Sequence, residues 1–143
     1  TLRTTFITGF PGETEEEYQE LKSFAKKFKF ERCGVFPYSP EPRTPAAAFP
    51  DQVPAELAEQ RSTELMKQQI SIMKKLSKNQ VGKTVRVVDD VDENGAVARG
   101  AMDAPEIDNV IYIPKPKRLK PGKFCLVKIT GTDGCDLIAE LVK

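Results

Sequence analysis

Few side chains in this sequence are equipped for covalent, redox or metal chemistry. Three cysteines, Cys33, Cys125 and Cys135, stand far apart, and histidine is absent from all 143 residues. Zinc and iron–sulfur centres draw their cysteines from short spacings such as C-x2-C or C-x3-C-x2-C, and neither occurs here. Without histidine the chain lacks the commonest general base, triad partner and neutral metal ligand. The pattern speaks against a self-contained hydrolase or metalloenzyme. The cysteines read as reduced, partly buried packing residues, and no catalytic or metal-binding side chain is expected in this chain.

Binding chemistry has more to work with. The stretch GFPGET, Gly9 to Thr14, follows a β-like run and opens an acidic helix start. Glycine lets backbone amides approach an anion at a helix N-terminus, yet neither G-x-x-x-x-G-K-[ST] nor G-x-G-x-x-G is matched. Glu13, Glu15, Glu16 and Glu17 would repel a phosphate and instead complement the helix dipole. Two readings stay open: a structural turn, or one wall of a ligand pocket built on Gly9 and Gly12. Either way the turn lies at the C-terminal end of a strand, where α/β folds place their sites.

Two charged segments are the other candidates. KPKRLKPGK concentrates Lys115, Lys117, Arg118, Lys120 and Lys123 in one loop, a contact surface for a polyanion or a solvated connection. MDAPEID carries Asp103, Glu106 and Asp108 just after Arg99, backed upstream by Asp89, Asp90, Asp92 and Glu93. From Asn79 to Lys143 there are ten basic and ten acidic side chains. A barrel devoted to RNA backbone is plainly basic; this balance leaves an acidic segment able to meet a basic protein.

The elements that must position these residues form two groups. Residues 2–10 look like a strand; Thr14 and Glu17 make a T-x-x-E capping box; Tyr18, Leu21, Ala25 and Phe28 recur at helical spacing; RCGVFPY, Arg32 to Tyr38, reads as a second strand. Strand, helix and strand imply a βαβ unit with parallel strands. Two such strands leave open edges, and with a start at Thr1 we expect a piece of a larger α/β sheet. A proline-studded loop, Ser39 to Pro54, then leads into a long helix whose apolar residues are Leu57, Leu65, Met66, Ile70, Ile72, Met73 and Leu76. After Ser77 the texture changes to short β runs: GKTVRVVDDV, GAVARG, NVIYI, FCLVKIT and DLIAELV, separated by turn signals such as Asn94-Gly95, Pro121-Gly122 and Asp133-Gly134. Five short strands predict a small closed or nearly closed barrel. The expected fold class is therefore α/β plus all-β, with a first domain over residues 1–77 and a second over 78–143.

Whole-chain totals fit a soluble globular protein: 39% hydrophobic, 30% charged, net charge +1. No apolar run approaches a membrane span and no signal-peptide pattern occurs, so no membrane partner and a cytoplasmic location are expected.

GFPGETEEEYQEL, then GVFPYSPEPRTPAA, then a helix and a small barrel together resemble the C-terminal part of the radical S-adenosylmethionine methylthiotransferases. The likeness covers nearly the whole chain, and the two motifs in this order are specific. It implies that residues 1–77 hold the last βαβ portion of a partial radical barrel, the opening motif being on its fifth strand. Residues 78–143 would be a TRAM domain that docks substrate. DAPEID, Asp103 to Asp108, and DLIAEL, Asp136 to Leu141, resemble the branch that methylthiolates an aspartate β-carbon on the small-subunit ribosomal protein numbered twelve. The balanced charge fits a basic protein target. Substrate docking would then fall to Arg99, Asp103, Glu106, Asp108, Lys117 and Arg118, with ribosomal RNA as a further contact.

The resemblance also implies two 4Fe–4S clusters and S-adenosylmethionine in the complete enzyme. None of their ligand cysteines matches Cys33, Cys125 or Cys135, so no cofactor is expected on this chain, which alone would be inactive. Three departures from the family pattern stand out. Arg43 replaces a usual glycine, so the turn there is expected to be rebuilt; Gly100 replaces Ser or Thr; Cys135 replaces a frequent aromatic. The alternatives are a tRNA adenosine methylthiotransferase fragment and a stand-alone RNA-binding module, both predicting RNA affinity that falls with salt.

Overall fold

A computed structural model of the chain describes residues 1–92, 95–104, 107–114, 119 and 121–142. These form two compact units, Thr1–Met73 and Lys74–Lys143. The division falls inside the long helix, a few residues before the end of the expected first domain at 77.

The first unit contains strand β1 (Arg3–Thr8), helix α1 (Glu15–Phe28), strand β2 (Arg32–Pro37), a short 3-10 turn (Pro45–Ala48) and most of helix α2 (Ala55–Lys78). β1 and β2 pair in parallel, Arg3 opposite Arg32 through Thr8 opposite Pro37. The capping box is formed as the sequence predicts: Thr14 Oγ1 accepts from the Glu17 amide at 3.2 Å, and Glu17 Oε2 accepts from the Thr14 amide at 2.9 Å. Lys29, left-handed at φ 52°, ends α1 by donating its N–H to the Ala25 carbonyl.

Tyr18, Ala25, Phe30, Cys33, Val35 and Leu65 make the core, with Phe6, Leu21 and Met66 packed against it. Phe28 departs from the expected stripe. It is half exposed, at the end of its helix, with its ring against Phe24 at 4.5 Å and Phe30 at 6.1 Å. The buried face of α2 departs further, for it runs through Ala58, Arg61, Ser62, Leu65, Gln69 and Met73. Two of its polar members donate to backbone carbonyls, Ser62 Oγ to Val35 O at 3.3 Å and Gln69 Nε2 to Phe30 O at 2.6 Å, while Gln69 Oε1 has no hydrogen-bond partner among the described residues. Arg43 also differs from expectation. The turn is not rebuilt around it; Arg43 itself adopts φ 76°.

The second unit is a closed five-stranded barrel in the order β3-β4-β5-β7-β6: β3 (Thr84–Asp92), β4 (Gly95–Gly100), β5 (Ile111–Ile113), β6 (Phe124–Asp133) and β7 (Asp136–Leu141). Neighbours are antiparallel except β5 and β7, which are parallel. Closure leaves no strand edge to protect. Its interior pairs small residues with large ones across strands: Ala98 opposite Ile111, Ala96 opposite Ile113, Ala139 opposite Ile129. That alternation lets side chains share the interior of a narrow barrel. A register shift between Ile129 and Gly131 lets β6 bend through the wall.

Candidate functional site

The GFPGET turn is fixed from three directions. Thr8, fully buried at the end of β1, donates its hydroxyl to the Ala58 carbonyl at 3.0 Å, which brings the turn against α2. Gly9 follows at φ +75°, and a Cβ built there would lie 2.2 Å from the Cβ of Ala58. Only glycine fits that approach. Gly12, at φ +87°, has open space where its Cβ would be, and its N–H donates to Asp51 O at 2.9 Å.

A charged knot closes the turn. The Gly9 N–H and Arg61 Nη1 both donate to Glu13 Oε1, at 2.8 and 2.7 Å, while Arg61 Nη2 reaches Glu15 Oε2 at 2.8 Å. The Arg61 side chain is 5% exposed and that of Glu13 12%, whereas Glu15 is 59% exposed. Burial works against the Arg61 charge, but hydrogen bonds to Glu15 and Glu13 outweigh it and hold its pKa above the ordinary value. Its guanidinium also lies 5.1 Å from the Tyr18 ring centroid. The Tyr18 hydroxyl donates to Arg61 O at 3.0 Å and to Glu64; burial, then that carboxylate, pushes its pKa up. Beside the knot Phe10 packs edge-on to Tyr38, at 5.2 Å, and to Phe49, at 6.3 Å.

Gly9 and Gly12 are thus both on a rigid turn at the C-terminal end of β1. Arg61 gave no local signal in the sequence, since its partners lie 46 and 48 residues upstream.

The opposite face of the little sheet is bare. Ile7 and Phe36 are partners in register and are 54% and 59% exposed. Leu2 is also exposed.

In the barrel unit the 100–108 loop brings three of the expected docking residues together. Arg99 Nη1 donates to two carbonyls of the loop, Ala104 O at 3.3 Å and Asp108 O at 3.0 Å. Asp103 Oδ2 accepts from the Gly100 amide at 3.0 Å, and Asp108 Oδ2 from the Ala104 amide. Arg99, Asp103 and Asp108 are half-buried, and their bonds link Gly100, Ala104 and Asp108. Ile107 stands out from that loop, 81% exposed. The loop is anchored beyond by Asp136, whose Oδ1 accepts from Val110 N at 2.9 Å and Asn109 Nδ2 at 3.3 Å. Glu106, Lys117 and Arg118 lie outside the described residues, as does most of the basic loop.

The cysteines are all reduced. Cys33 is buried in the first unit, its thiol pushed up to about 11 by desolvation; Cys125 and Cys135 are in the second. Among the described residues no group of three Cys, His, Asp or Glu could hold a metal ion, so the residues present do not fit an iron–sulfur cluster. Nor is any described helix long and apolar enough to cross a membrane.

Residues 81–142 match the TRAM domain family. The chain is 49% identical, over 99% of its length, to the ribosomal protein uS12 methylthiotransferase RimO of Desulfitobacterium hafniense (strain Y51). The same protein of Nitrosomonas eutropha is 47% identical over 99% of the chain, and that of Janthinobacterium sp. (strain Marseille) 48% over 98%. The chain spans 32% of the length of each of these relatives. Among solved structures, the apo form of Mycoplasma genitalium RNase R aligns at 14% identity and a TM-score of 0.34, covering 61% of this chain and 18% of that one. That likeness is too slight to carry an argument.

Proposed function

We propose, for a chain homologous along 99% of its length to the uS12 methylthiotransferases and ending in a TRAM domain, that it is part of an enzyme acting on ribosomal protein uS12. The reaction is methylthiolation of an aspartate β-carbon by radical S-adenosylmethionine chemistry in the cytoplasm. When bound, two 4Fe–4S clusters and S-adenosylmethionine would supply the radical, the sulfur and the methyl group. In this reading their ligands come from other parts of the enzyme, since the three cysteines here lack the C-x3-C-x2-C spacing. This chain contributes walls and a docking surface.

In the first unit, the exposed register pair Ile7 and Phe36 supports a sheet face that the rest of a larger α/β body covers. The Gly9–Glu13 turn would then line the active-site end, its backbone held in place by Arg61.

The observation that carries the substrate assignment is the 49% identity to a uS12 methylthiotransferase along 99% of the chain, and the candidate contact is Ile107, exposed beside residues bonded to Arg99. An exposed apolar knob on a held backbone is a preorganised anchor for a protein partner, since little ordering entropy is lost on binding. uS12 is the first partner in this reading, and ribosomal RNA adjoining it the second. The test is mass spectrometry of uS12 after incubation with the intact, cofactor-loaded enzyme. A gain of one methylthio group on an aspartate is expected, and Ile107→Ser should raise KM while leaving kcat nearly unchanged. Modification of a tRNA adenosine with uS12 untouched would overturn the proposal.

A further inference from the structure

Asp136, the first residue of β7, does more than begin a strand. The β6–β7 hairpin that presents it turns between the register partners Asp133 and Asp136, with Gly134 at φ +62°. The turn is held from behind, because the buried Ser77 hydroxyl of α2 donates to Cys135 O at 2.8 Å. From that base Asp136 Oδ1 accepts from both Val110 N, at 2.9 Å, and Asn109 Nδ2, at 3.3 Å. The next residue continues the contact, Leu137 N donating to Val110 O at 3.0 Å.

β5 needs this support. It is three residues long, and its parallel pairing with β7 matches Ile111 to Leu137 and Tyr112 to Ile138. Parallel bonds are slanted and slightly weaker than antiparallel ones, so a ladder this short frays easily at its entry. A carboxylate that accepts the Val110 amide satisfies a donor just before the strand and fixes where the strand begins. On the other side, Arg99 Nη1 donates to Asp108 O. Asp108, Asn109 and Val110, which directly follow Ile107, are thus held in turn by β4 and β7. The segment Asp136 to Leu141 thereby fixes the exit of the segment Asp103 to Asp108.

We propose that Asp136 is a positioning residue for recognition of the protein substrate: it fixes the chain directly after Ile107, so that the exposed isoleucine meets uS12 at a set place. The inference rests on the uS12 reading above and goes beyond it by giving a role to a side chain that itself touches no substrate. Fixing a contact residue before encounter spares ordering entropy on binding, which is felt in KM rather than in kcat.

The test pairs Asp136→Ala with Asp136→Asn, which keeps an oxygen at the same reach. In the intact, cofactor-loaded enzyme, Asp136→Ala is expected to raise KM for uS12 roughly tenfold, approaching loss of the apolar anchor itself, with kcat within about twofold. Asp136→Asn should stay near wild type. Amide exchange is followed in the whole chain at Val110 and at Ile129, whose amide donates to Lys83 O on the β3 side of β6. Asp136→Ala should speed exchange at Val110 about tenfold or more, the worth of a hydrogen bond to a charged acceptor, and leave Ile129 unchanged. A wild-type KM in Asp136→Ala, with Val110 exchange raised, overturns the inference alone. So does equal acceleration at Ile129, which would make Asp136 a support of the whole barrel, and so does an Asp136→Asn variant as impaired as Asp136→Ala. Failure of the wild-type enzyme to modify uS12 is a different result, and it overturns the underlying reading together with the inference.

Discussion

The backbone N–H of Gly9 and the guanidinium of Arg61 converge on one oxygen, Glu13 Oε1, at 2.8 and 2.7 Å. A turn at the end of β1 is thereby tied to a helix some fifty residues later by a single carboxylate. Two donors on one largely buried acceptor make a charge-assisted junction that resists displacement by water. The shape of the turn therefore depends on Arg61 as much as on its own glycines.

Arg61→Met is expected to destabilise the first unit by about 3 kcal/mol or more, the usual cost of leaving one partner of a buried pair uncompensated. Glu13→Gln added to that background should recover part of the loss, because the orphaned charge is gone. A double-mutant cycle by urea denaturation measures this coupling, and strictly additive losses would show the knot to be incidental.

The two glycines of the turn should respond differently. Gly9→Ala meets Ala58 as well as an unfavourable φ, and overpacking of this kind costs about 1–3 kcal/mol beyond the conformational penalty. Gly12→Ala has free space and should lose only about 1 kcal/mol, from its left-handed backbone. Ala58→Gly should rescue the first variant in part and leave the second unaffected, as read from amide exchange in α1.

Arg43 holds a left-handed conformation at φ 76° that costs a residue with a side chain about 1 kcal/mol. Arg43→Gly is expected to raise the melting temperature slightly. The gain is limited because glycine also adds freedom to the unfolded chain. A lower melting temperature would mean that the arginine side chain holds the loop.

Acid should weaken the first unit through its paired carboxylates. Lys22, then Tyr18, holds the Glu64 carboxyl below the ordinary 4.5; Gln19, then Arg61, does the same for Glu15. Groups depressed on folding contribute stability that is complete above their unfolded pKa and lost as pH falls through the folded one. Unfolding of α1 followed by amide exchange should thus become easier as pH drops below about 4.5. Both carboxylates are solvent-exposed, so the slope will be shallow and sensitive to salt. Lys22→Met removes the largest cause at Glu64 and should flatten it; parallel pH profiles for the two proteins would refute that origin.

The features legible in the sequence were those written locally. Thr14 and Glu17 lie three residues apart and signal their own capping box, and the five barrel strands are announced by alternation between turn residues. The buried face of α2 was not legible, because Arg61, Ser62 and Gln69 look like surface until their distant carbonyl and carboxylate partners are in view. The segment after β4 is half legible. Composition marks Arg99, Asp103 and Asp108 as a charged group, but only the fold shows them turned onto nearby amides and carbonyls, with Ile107 exposed.

The most direct test of the protein-substrate account is the affinity of the whole chain for purified uS12 and for tRNA, measured side by side with wild type and Ile107→Ser. Reversing Asp103 or Asp108 would dismantle the loop itself, whereas Ile107 is exposed enough to change without that. Saturable binding to uS12 is expected, weakened roughly tenfold in Ile107→Ser through loss of an apolar anchor, with tRNA binding unaltered by that substitution. Preference for tRNA, with uS12 bound weakly and no better by wild type than by Ile107→Ser, would contradict it.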